Sequence, residues 1–305
     1  MAEWDEYGST DEGWKKYMEG IIPLIILILI GIVIAGRMGW IQGIPFLGDL
    51  FDRGPVRVAV LGDLRGEGVQ NSTHVDAPYL ASHFDESADY QVTEFSNLEM
   101  FEYTGEELLN EFDLVILAGE RSFSPRVKEE LGKYIKGGGE VIAIGDAAIH
   151  DPDYPAVIGW DVGDLQGTFP IGVGWDVSRE EIDEPVELIS TEEEELTLRF
   201  MTIDHDIVER AGVGTYVDFR EIEGVREECA TGITSLPIGL REGSDVISIV
   251  EGYNPEKNQS KTVIGMAERK GALGRGHVMY YPYDPGCLPT VFDETVEYMT
   301  GRSVG

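Results

Sequence analysis

The hydrophobic and polar positions after residue 54 follow the pattern of an α/β fold. The mostly apolar segment 56–61 and the uninterrupted apolar runs at 114–118 and 141–144 have the length and composition of parallel strands. Between the last two, a Ser-Pro pair at 124–125 predicts a helix start, apolar residues recur at helical spacing up to 136, and three glycines end the helix. This strand–helix–strand unit predicts a right-handed crossover and a parallel sheet.

The remaining pattern extends that sheet. A helix is predicted over 75–83, a strand over 90–95 and a short helical stretch over 106–111. Residues 150–200 are rich in Gly, Pro, Asp and Glu and are predicted to be an insert; residues 213–283 indicate mostly β-strands, and 292–299 a closing helix. The predicted fold is therefore a flavodoxin- or Rossmann-like parallel sheet within a 55–305 domain, extended by later β-strands and preceded by one transmembrane helix.

The transmembrane prediction rests on residues 21–36, which read IIPLIILILIGIVIAG without a charge. Sixteen residues are short for a span of about 20, but uncharged or aromatic neighbours lie on both sides, such as Tyr17 and Trp40. The transmembrane helix is predicted over 21–40. A buried core helix and a cleaved leader, including one cut at Gly20, are the alternatives. We expect a retained single-pass anchor after an acidic segment, 1–20.

Positive charges favour an external domain. Lys15 and Lys16 precede the apolar run and Arg37 follows it, which tilts the positive-inside rule towards a cytoplasmic N-terminus. We therefore expect the protein in the cell membrane with its C-terminal domain outside. Cys229 and Cys287 are able to pair in that location, but the sequence does not decide whether they do.

The segment 41–54 that joins the anchor to the domain is too apolar for a free linker. Its apolar side chains are expected to contact lipid headgroups, the domain or another subunit, and we favour a subunit contact. These predicted interaction residues are Ile41, Ile44, Phe46, Leu47, Leu50 and Phe51.

Composition narrows the function classes. The 305 residues carry a formal net charge of -34, which argues against nucleic-acid binding because phosphates require clustered cations. Two cysteines exclude a disulfide-rich scaffold and a multi-cysteine zinc site. Molar salt would screen the self-repulsion of so acidic a chain, which favours a halophilic, archaeal source. An acidic surface for calcium is the alternative, but it lacks a loop motif.

Four stretches together resemble the class I glutamine amidotransferase-like superfamily. They read VRVAVLGD from 56, DLVILAG from 113, SPRVKEELGKYIKGGGEVIAIGD from 124 and GRGHVMYYPYDPG from 274. The similarity is to the branch of trehalose-utilisation-type proteins and domains of gliding-type transport proteins, over about 55–150 and 200–300. Catalytic members of the superfamily carry a cysteine on the turn after the strand that matches 141–144. Here that turn reads Gly-Asp-Ala-Ala at 145–148, so the resemblance implies a scaffold that is not an enzyme.

Acidic and basic residues follow the predicted strands at the edge where doubly wound sheets bind ligands. A solute or glycan site at this edge would use Asp63, Glu120, Arg121 and Asp146. The segment after the first strand lacks the spacing of a nucleotide-binding glycine loop, and no cofactor is expected.

Asp204, His205 and Asp206 combine the ligand types that bind a divalent metal. A turn-forming or helix-capping role is the alternative, because any histidine in so acidic a chain tends to have acidic neighbours. The leading functional prediction is a non-catalytic, membrane-anchored scaffold or accessory subunit of a membrane or cell-surface assembly. A solute- or glycan-binding subunit of a transporter is the runner-up. The expected partners are the lipid bilayer and other protein subunits.

Overall fold

The computed structural model describes residues 21–28, 30–31, 54–62, 75, 77–85, 87–95, 108–118, 123–149, 159–160, 165–173, 186–187, 195–202, 204–212, 216–218, 234–235, 238–254, 258–271 and 276–304. The chain divides into two compact units, Met1–Gly54 and Pro55–Gly305. In the first unit, 21–28 and 30–31 are helical and exposed. Within the described ranges, no helix is both long enough and apolar enough to cross a bilayer. The predicted interaction residues at 41–51 lie outside these ranges.

The described part of the second unit is built on a nine-stranded mixed sheet, with strand order β2-β1-β3-β4-β13-β12-β11-β7-β8. Two further strand pairs, β5–β10 and β6–β9, are antiparallel. The strands are β1 (Val56–Gly62), β2 (Tyr90–Phe95), β3 (Leu114–Ala118), β4 (Glu140–Ile144), β5 (Ile171–Val173), β6 (Val186–Glu187), β7 (Glu195–Phe200), β8 (Tyr216–Asp218), β9 (Thr234–Ser235), β10 (Ile238–Leu240), β11 (Asp245–Asn254), β12 (Gln259–Lys270) and β13 (His277–Tyr281). The helices are α1 (Ala77–Ser82), α2 (Pro125–Gly137), α3 (Asp206–Ala211) and α4 (Pro289–Thr300).

The sheet has two halves that differ in strand direction. β2, β1, β3, β4 and β13 pair in parallel and form the parallel half. β12, β11, β7 and β8 add antiparallel pairings and form the antiparallel half. The prediction of a Rossmann-like parallel sheet extended by later strands is confirmed as a mixed α/β sheet with a parallel half. Strand β7 belongs to the main sheet although it falls at the end of the predicted 150–200 insert.

Two apolar layers cover the two faces of the sheet. On one face, α1, α3 and α4 pack against alternate strand residues such as Ile142, Met279 and Met266. On the other face, α2 and apolar residues such as Ile149, Trp160 and Phe169 pack against the intervening residues, such as Val141 and Tyr280. Successive side chains of a strand point to opposite faces, so the apolar runs read in the sequence fill both layers.

Helix α2 has the ends that the sequence predicts. The Ser124 side chain accepts a hydrogen bond from the Val127 amide, Pro125 is the first helical residue, and Gly138 ends the helix at a left-handed φ of 112°. Two other predicted helices differ from the structure in type or in length. The described part of 106–111 is a single 3₁₀ turn, Leu109–Glu111, and the closing helix begins three residues earlier than predicted, at Pro289.

Candidate functional site

The carboxyl ends of the parallel strands are the first candidate site. The chain reverses its direction of progress across the sheet between β1 and β3, the point where doubly wound folds bind ligands. There, a Cβ added to Gly62 would lie 2.9 Å from the Ala77 Cβ and 3.0 Å from the Ala118 carbonyl oxygen. A side chain at position 62 would therefore collide with Ala77 and with β3, so this position requires glycine. Of the four predicted ligand-binding residues, Asp63, Glu120 and Arg121 lie outside the described residues, while Asp146 is described.

Asp146 lies in a tight turn that follows β4. The turn begins at Gly145, whose amide donates to the Tyr281 carbonyl over 2.7 Å, and it closes with a hydrogen bond from the Ile149 amide to the Asp146 carbonyl. Ala148 adopts a φ of 61°, which is uncommon for a residue other than glycine. The Ala147 and Ala148 methyl groups are fully buried, so the turn presents no nucleophile and no exposed side chain.

An indole ring fixes the turn from the side. Trp160 donates from Nε1 to the Ala147 carbonyl over 2.8 Å. Its ring stacks on Phe169 with centroids 5.5 Å apart and meets Tyr280 edge-on at 6.1 Å. All three aromatic side chains are fully buried. Aromatic packing therefore occupies the space beside the turn.

Asp146 and Tyr280 are both fully buried in this packing and interact electrostatically. Burial, followed by the negative charge of Asp146, raises the pKa of Tyr280 far above its ordinary value. The phenol is therefore neutral at physiological pH and does not act as a base. Its hydroxyl has no hydrogen-bond partner among the described residues. Nothing in the geometry of this pair provides a nucleophile with a positioned base.

A second concentration of ionisable groups lies at the opposite edge, where β4 and β13 begin. Strand pairing sets Glu140 directly beside His277, and it sets His277 opposite Lys270. All of the grouped side chains lie on the face of the sheet that α3 and α4 cover. We call this group the polar cluster; it consists of Glu140, His205, Glu268, Lys270, His277 and Tyr298.

Glu268 is the centre of the polar cluster. Its Oε2 accepts hydrogen bonds from His277 Nε2 over 2.9 Å and from the Tyr298 hydroxyl over 3.2 Å. Its Oε1 accepts from His205 Nε2 over 3.2 Å and lies 3.5 Å from Lys270 Nζ. Lys270 also donates to the Tyr298 hydroxyl. Burial alone would raise the pKa of Glu268, but the two histidine hydrogen bonds and the charges of His277 and Lys270 outweigh it and hold the pKa well below its usual range.

His277 lies between two carboxylates. Besides the bond to Glu268, its Nδ1 forms an ion pair with Glu140 Oε2 at 3.4 Å. Burial of the ring would lower the pKa of His277, but Glu140 and Glu268 together raise it above its ordinary value. Burial raises the pKa of Glu140, and the contact with His277 opposes that shift only in part. The cluster is thus a charge-balanced network that is mostly removed from water.

Of the three predicted metal residues, His205 has other partners in the structure. His205 caps the start of α3, where its Nδ1 accepts a hydrogen bond from the Ile207 amide over 3.3 Å. Its Nε2 is engaged with Glu268, so both ring nitrogens already have partners. Asp204 and Asp206 are exposed. In the described part of the chain, no group of three or more His, Cys, Asp or Glu side chains is arranged to hold a metal ion.

The polar cluster was not predicted from the sequence, although one signal for it exists. The sequence predicts mostly β-strands over 213–283, and an antiparallel hairpin of β12 and β13 within that range sets Glu268 diagonally across from His277. The contributions of Glu140, His205 and Tyr298 come from distant parts of the chain, and no local pattern marks them. Cys287 is disulfide-bonded, and the one other cysteine of the chain, Cys229, lies outside the described residues.

Comparisons with known proteins indicate the fold but not a family. No family model matches the chain, and no curated protein matches it. Among solved structures, a β-galactosidase from Bacillus circulans sp. alkalophilus is similar, with a TM-score of 0.51 and 14% identity over 84% of this chain and 33% of that chain. A ThuA-like protein from Bacteroides uniformis ATCC 8492 has a TM-score of 0.48 and 9% identity, over 82% of this chain and 94% of that one.

A cytoplasmic protein from Salmonella typhimurium LT2 has a TM-score of 0.47 and 13% identity, over 80% of this chain and 96% of that one. The chain spans about a third of the length of the β-galactosidase. At 14% identity, that similarity shows a shared α/β fold and leaves the activity open. Membership of the amidotransferase-like superfamily stays a prediction from the sequence motifs.

Proposed function

We propose that the chain is a non-catalytic, membrane-anchored scaffold or accessory subunit of a membrane or cell-surface assembly. The observation that carries the proposal is the turn after β4. In catalytic members of the family that the sequence resembles, this turn carries the nucleophile. Here it holds two buried alanine methyl groups, and Trp160 fills the space beside it. A turn that carries no reactive side chain and is packed with aromatic rings supports a role in binding proteins rather than in catalysis.

The membrane part of the proposal rests on the helical residues of the first unit. Their large apolar side chains, such as Ile21, Leu27 and Ile30, are 46–69% exposed, on all sides of the helix. Exposure of apolar surface to water costs about 25 cal/mol per Å², so a helix that is apolar all round is stable only when lipid or another protein covers it. The bilayer is the proposed cover, with the 55–305 unit outside the cell.

The alternative, a solute- or glycan-binding subunit, requires an open pocket at the carboxyl ends of the strands. In the described part of that edge, the space beside the turn after β4 is filled by Trp160, Phe169 and Tyr280. We therefore favour the scaffold role, in which the apolar connector 41–51 contacts a partner subunit.

The test is co-purification of the full chain from native membranes in mild detergent. Phe46→Ser combined with Phe51→Ser should release the partner subunits while the protein stays in the membrane fraction. Phe46→Leu with Phe51→Leu is the matched control, because it keeps apolar side chains at both positions, and it should retain the partners. Equal partner yields from the Ser and Leu variants would refute the connector contact. A wild-type chain that purifies without any stoichiometric partner would overturn the scaffold role itself.

A further inference from the structure

The polar cluster joins every layer on one side of the sheet. Glu140 belongs to β4, His277 to β13, and Glu268 and Lys270 to β12, while Tyr298 comes from α4 and His205 from the residue before α3. The side chains of Glu268, His277 and His205 are 5%, 8% and 10% exposed. The hydrogen bonds among these groups therefore form a buried polar connection between the sheet and the α3–α4 layer, in addition to the hydrogen bond between Tyr281 of β13 and Thr295 of α4.

The hydrogen-bond geometry assigns protons to both histidines. An ionised carboxylate only accepts, so each ring nitrogen that contacts Glu268 must carry a proton. His205 uses its other nitrogen, Nδ1, as an acceptor for the Ile207 amide, which makes it the neutral Nε2–H tautomer. For His277 the other nitrogen faces a second carboxylate, Glu140. A proton on that nitrogen makes the contact an ion pair, and the raised pKa of His277 agrees with this state, so we infer that His277 is an imidazolium.

The charges around His277 balance only in that state. The ionisable groups that face it or its partners are Glu140 from β4, Glu268 and Lys270 from β12, Tyr298 from α4 and His205 from before α3. Two carboxylates are opposed by Lys270 and the imidazolium, while His205 and Tyr298 are neutral. If His277 loses its second proton, Lys270 is the positive charge of the cluster that remains beside Glu140 and Glu268, and its side chain is half exposed.

We propose that the imidazolium of His277 is a pH-dependent clamp that holds the α3–α4 layer against the sheet. When the proton leaves, Glu140 and Glu268 face an uncharged ring, and the connection from Glu268 to His205 and Tyr298 weakens. The elevated pKa of His277 fixes the direction of the effect. A group whose pKa is raised by folding stabilises the folded state below its unfolded value of about 6.5, and that stabilisation is lost as the pH rises through the folded pKa.

The first test follows the protons directly. The full chain contains five histidines, and isotope labelling of histidine gives ring nitrogen signals that report protonation. The signal that disappears in His277→Asn belongs to His277. It should show an imidazolium at pH 7 and titrate above about 6.5, the unperturbed value. A neutral His277 ring at pH 7 would overturn the assignment and the clamp with it.

The second test follows the layer. Hydrogen exchange in α3 and α4, corrected for the intrinsic effect of pH, should rise in the wild-type chain as the pH passes the pKa of His277. His277→Asn should raise it roughly a hundredfold at pH 6, since breaking a buried ion pair is strongly destabilising. His83→Asn is the control: it removes a more exposed His–Asp contact with Asp293 of α4, and it should change exchange little.

Should the asparagine variant fail to fold, Glu140→Gln keeps the test decisive, because Glu140 is at the edge of the cluster and a quarter exposed. It removes one of the two carboxylates that hold the proton. The pKa of His277 and the pH at which α3 and α4 loosen should then fall together. If the pKa falls and exchange in the helices does not follow it, the cluster is only structural and the clamp is refuted.

Discussion

Replacement of Trp160 by Phe tests whether the turn after β4 is held closed by the indole. The change removes the hydrogen bond to the Ala147 carbonyl and leaves that carbonyl buried without its donor, which costs about 1–3 kcal/mol. The smaller ring also leaves a cavity against Phe169 and Tyr280, which adds about 1 kcal/mol. Trp160→Phe should therefore lower the free energy of unfolding by about 2–4 kcal/mol.

Urea denaturation of the full chain, followed by circular dichroism, measures this change. Tyr216→Phe is the matched control because it also removes one polar hydrogen from an aromatic ring. Tyr216 is 57% exposed, so its replacement should change the free energy of unfolding by less than about 0.5 kcal/mol. Trp160→Ala should cost more than Trp160→Phe, since it removes the whole ring.

The result that would refute the reasoning is equality of the two aromatic variants. If Trp160→Phe costs no more than Tyr216→Phe, the indole does not hold the turn. The space beside Ala147 would then be available to a ligand, and the main support for a non-catalytic function would be lost.

Three further outcomes are expected. The melting temperature should rise steeply between about 0.1 M and 1 M salt, because the net charge of -34 repels itself less as the screening length falls from about 10 Å to 3 Å; a flat curve would contradict a halophilic origin. A disulfide between Cys287 and Cys229 would close a loop of about 58 residues. Its reduction should lower the free energy of unfolding by about 4 kcal/mol, and an unchanged melting temperature would contradict this. The lowered pKa of Glu268 means that its carboxylate stabilises the fold above about pH 4.5 and loses this effect as the pH falls. Glu268→Gln should therefore make the free energy of unfolding depend less on pH in the acid range. The same acid dependence in the variant and the wild-type chain would contradict the network.

The parallel half of the sheet was predictable because its signals are local. Apolar runs predict strands that are buried on both faces, as β3 is throughout and as β1 and β4 are apart from Arg57 and Glu140. The start of α2 is recognisable from the Ser-Pro pair alone, since capping by Ser124 involves an amide three residues away. Each of these predictions depends on fewer than about fifteen consecutive residues.

The antiparallel half was predicted only as a set of strands without an order. β7 pairs with β11, about fifty residues later, and β13 inserts between β4 and β12. Such neighbours are selected by packing of the whole domain, and one sequence carries no pattern that specifies them. The prediction that residues 150–200 form an insert was too coarse for the same reason, because β7 lies at its end.

The two ends of the sheet explain why the candidate site was harder to predict than the fold. Sequence reasoning placed ionisable residues at the carboxyl ends of the strands, because α/β sheets bind ligands there. At β4 the structure instead closes that edge with Trp160 and encloses Asp146 in the core. For His205 the sequence left metal binding and helix capping open; the cap is local, but the partner on its other ring nitrogen, Glu268, is 63 residues away.

The location of the polar cluster has a physical reason. The amino ends of β4 and β13 are adjacent, and the antiparallel return of β12 brings Glu268 and Lys270 to the same edge. Buried ionisable groups are tolerated only where opposite charges and hydrogen bonds meet them, and this edge supplies both from four elements. The carboxyl end of β4 is packed with aromatic rings, whereas the buried charges lie at its amino end. These charges then serve the contact between the sheet and its helices, which a change of pH can loosen without any substrate.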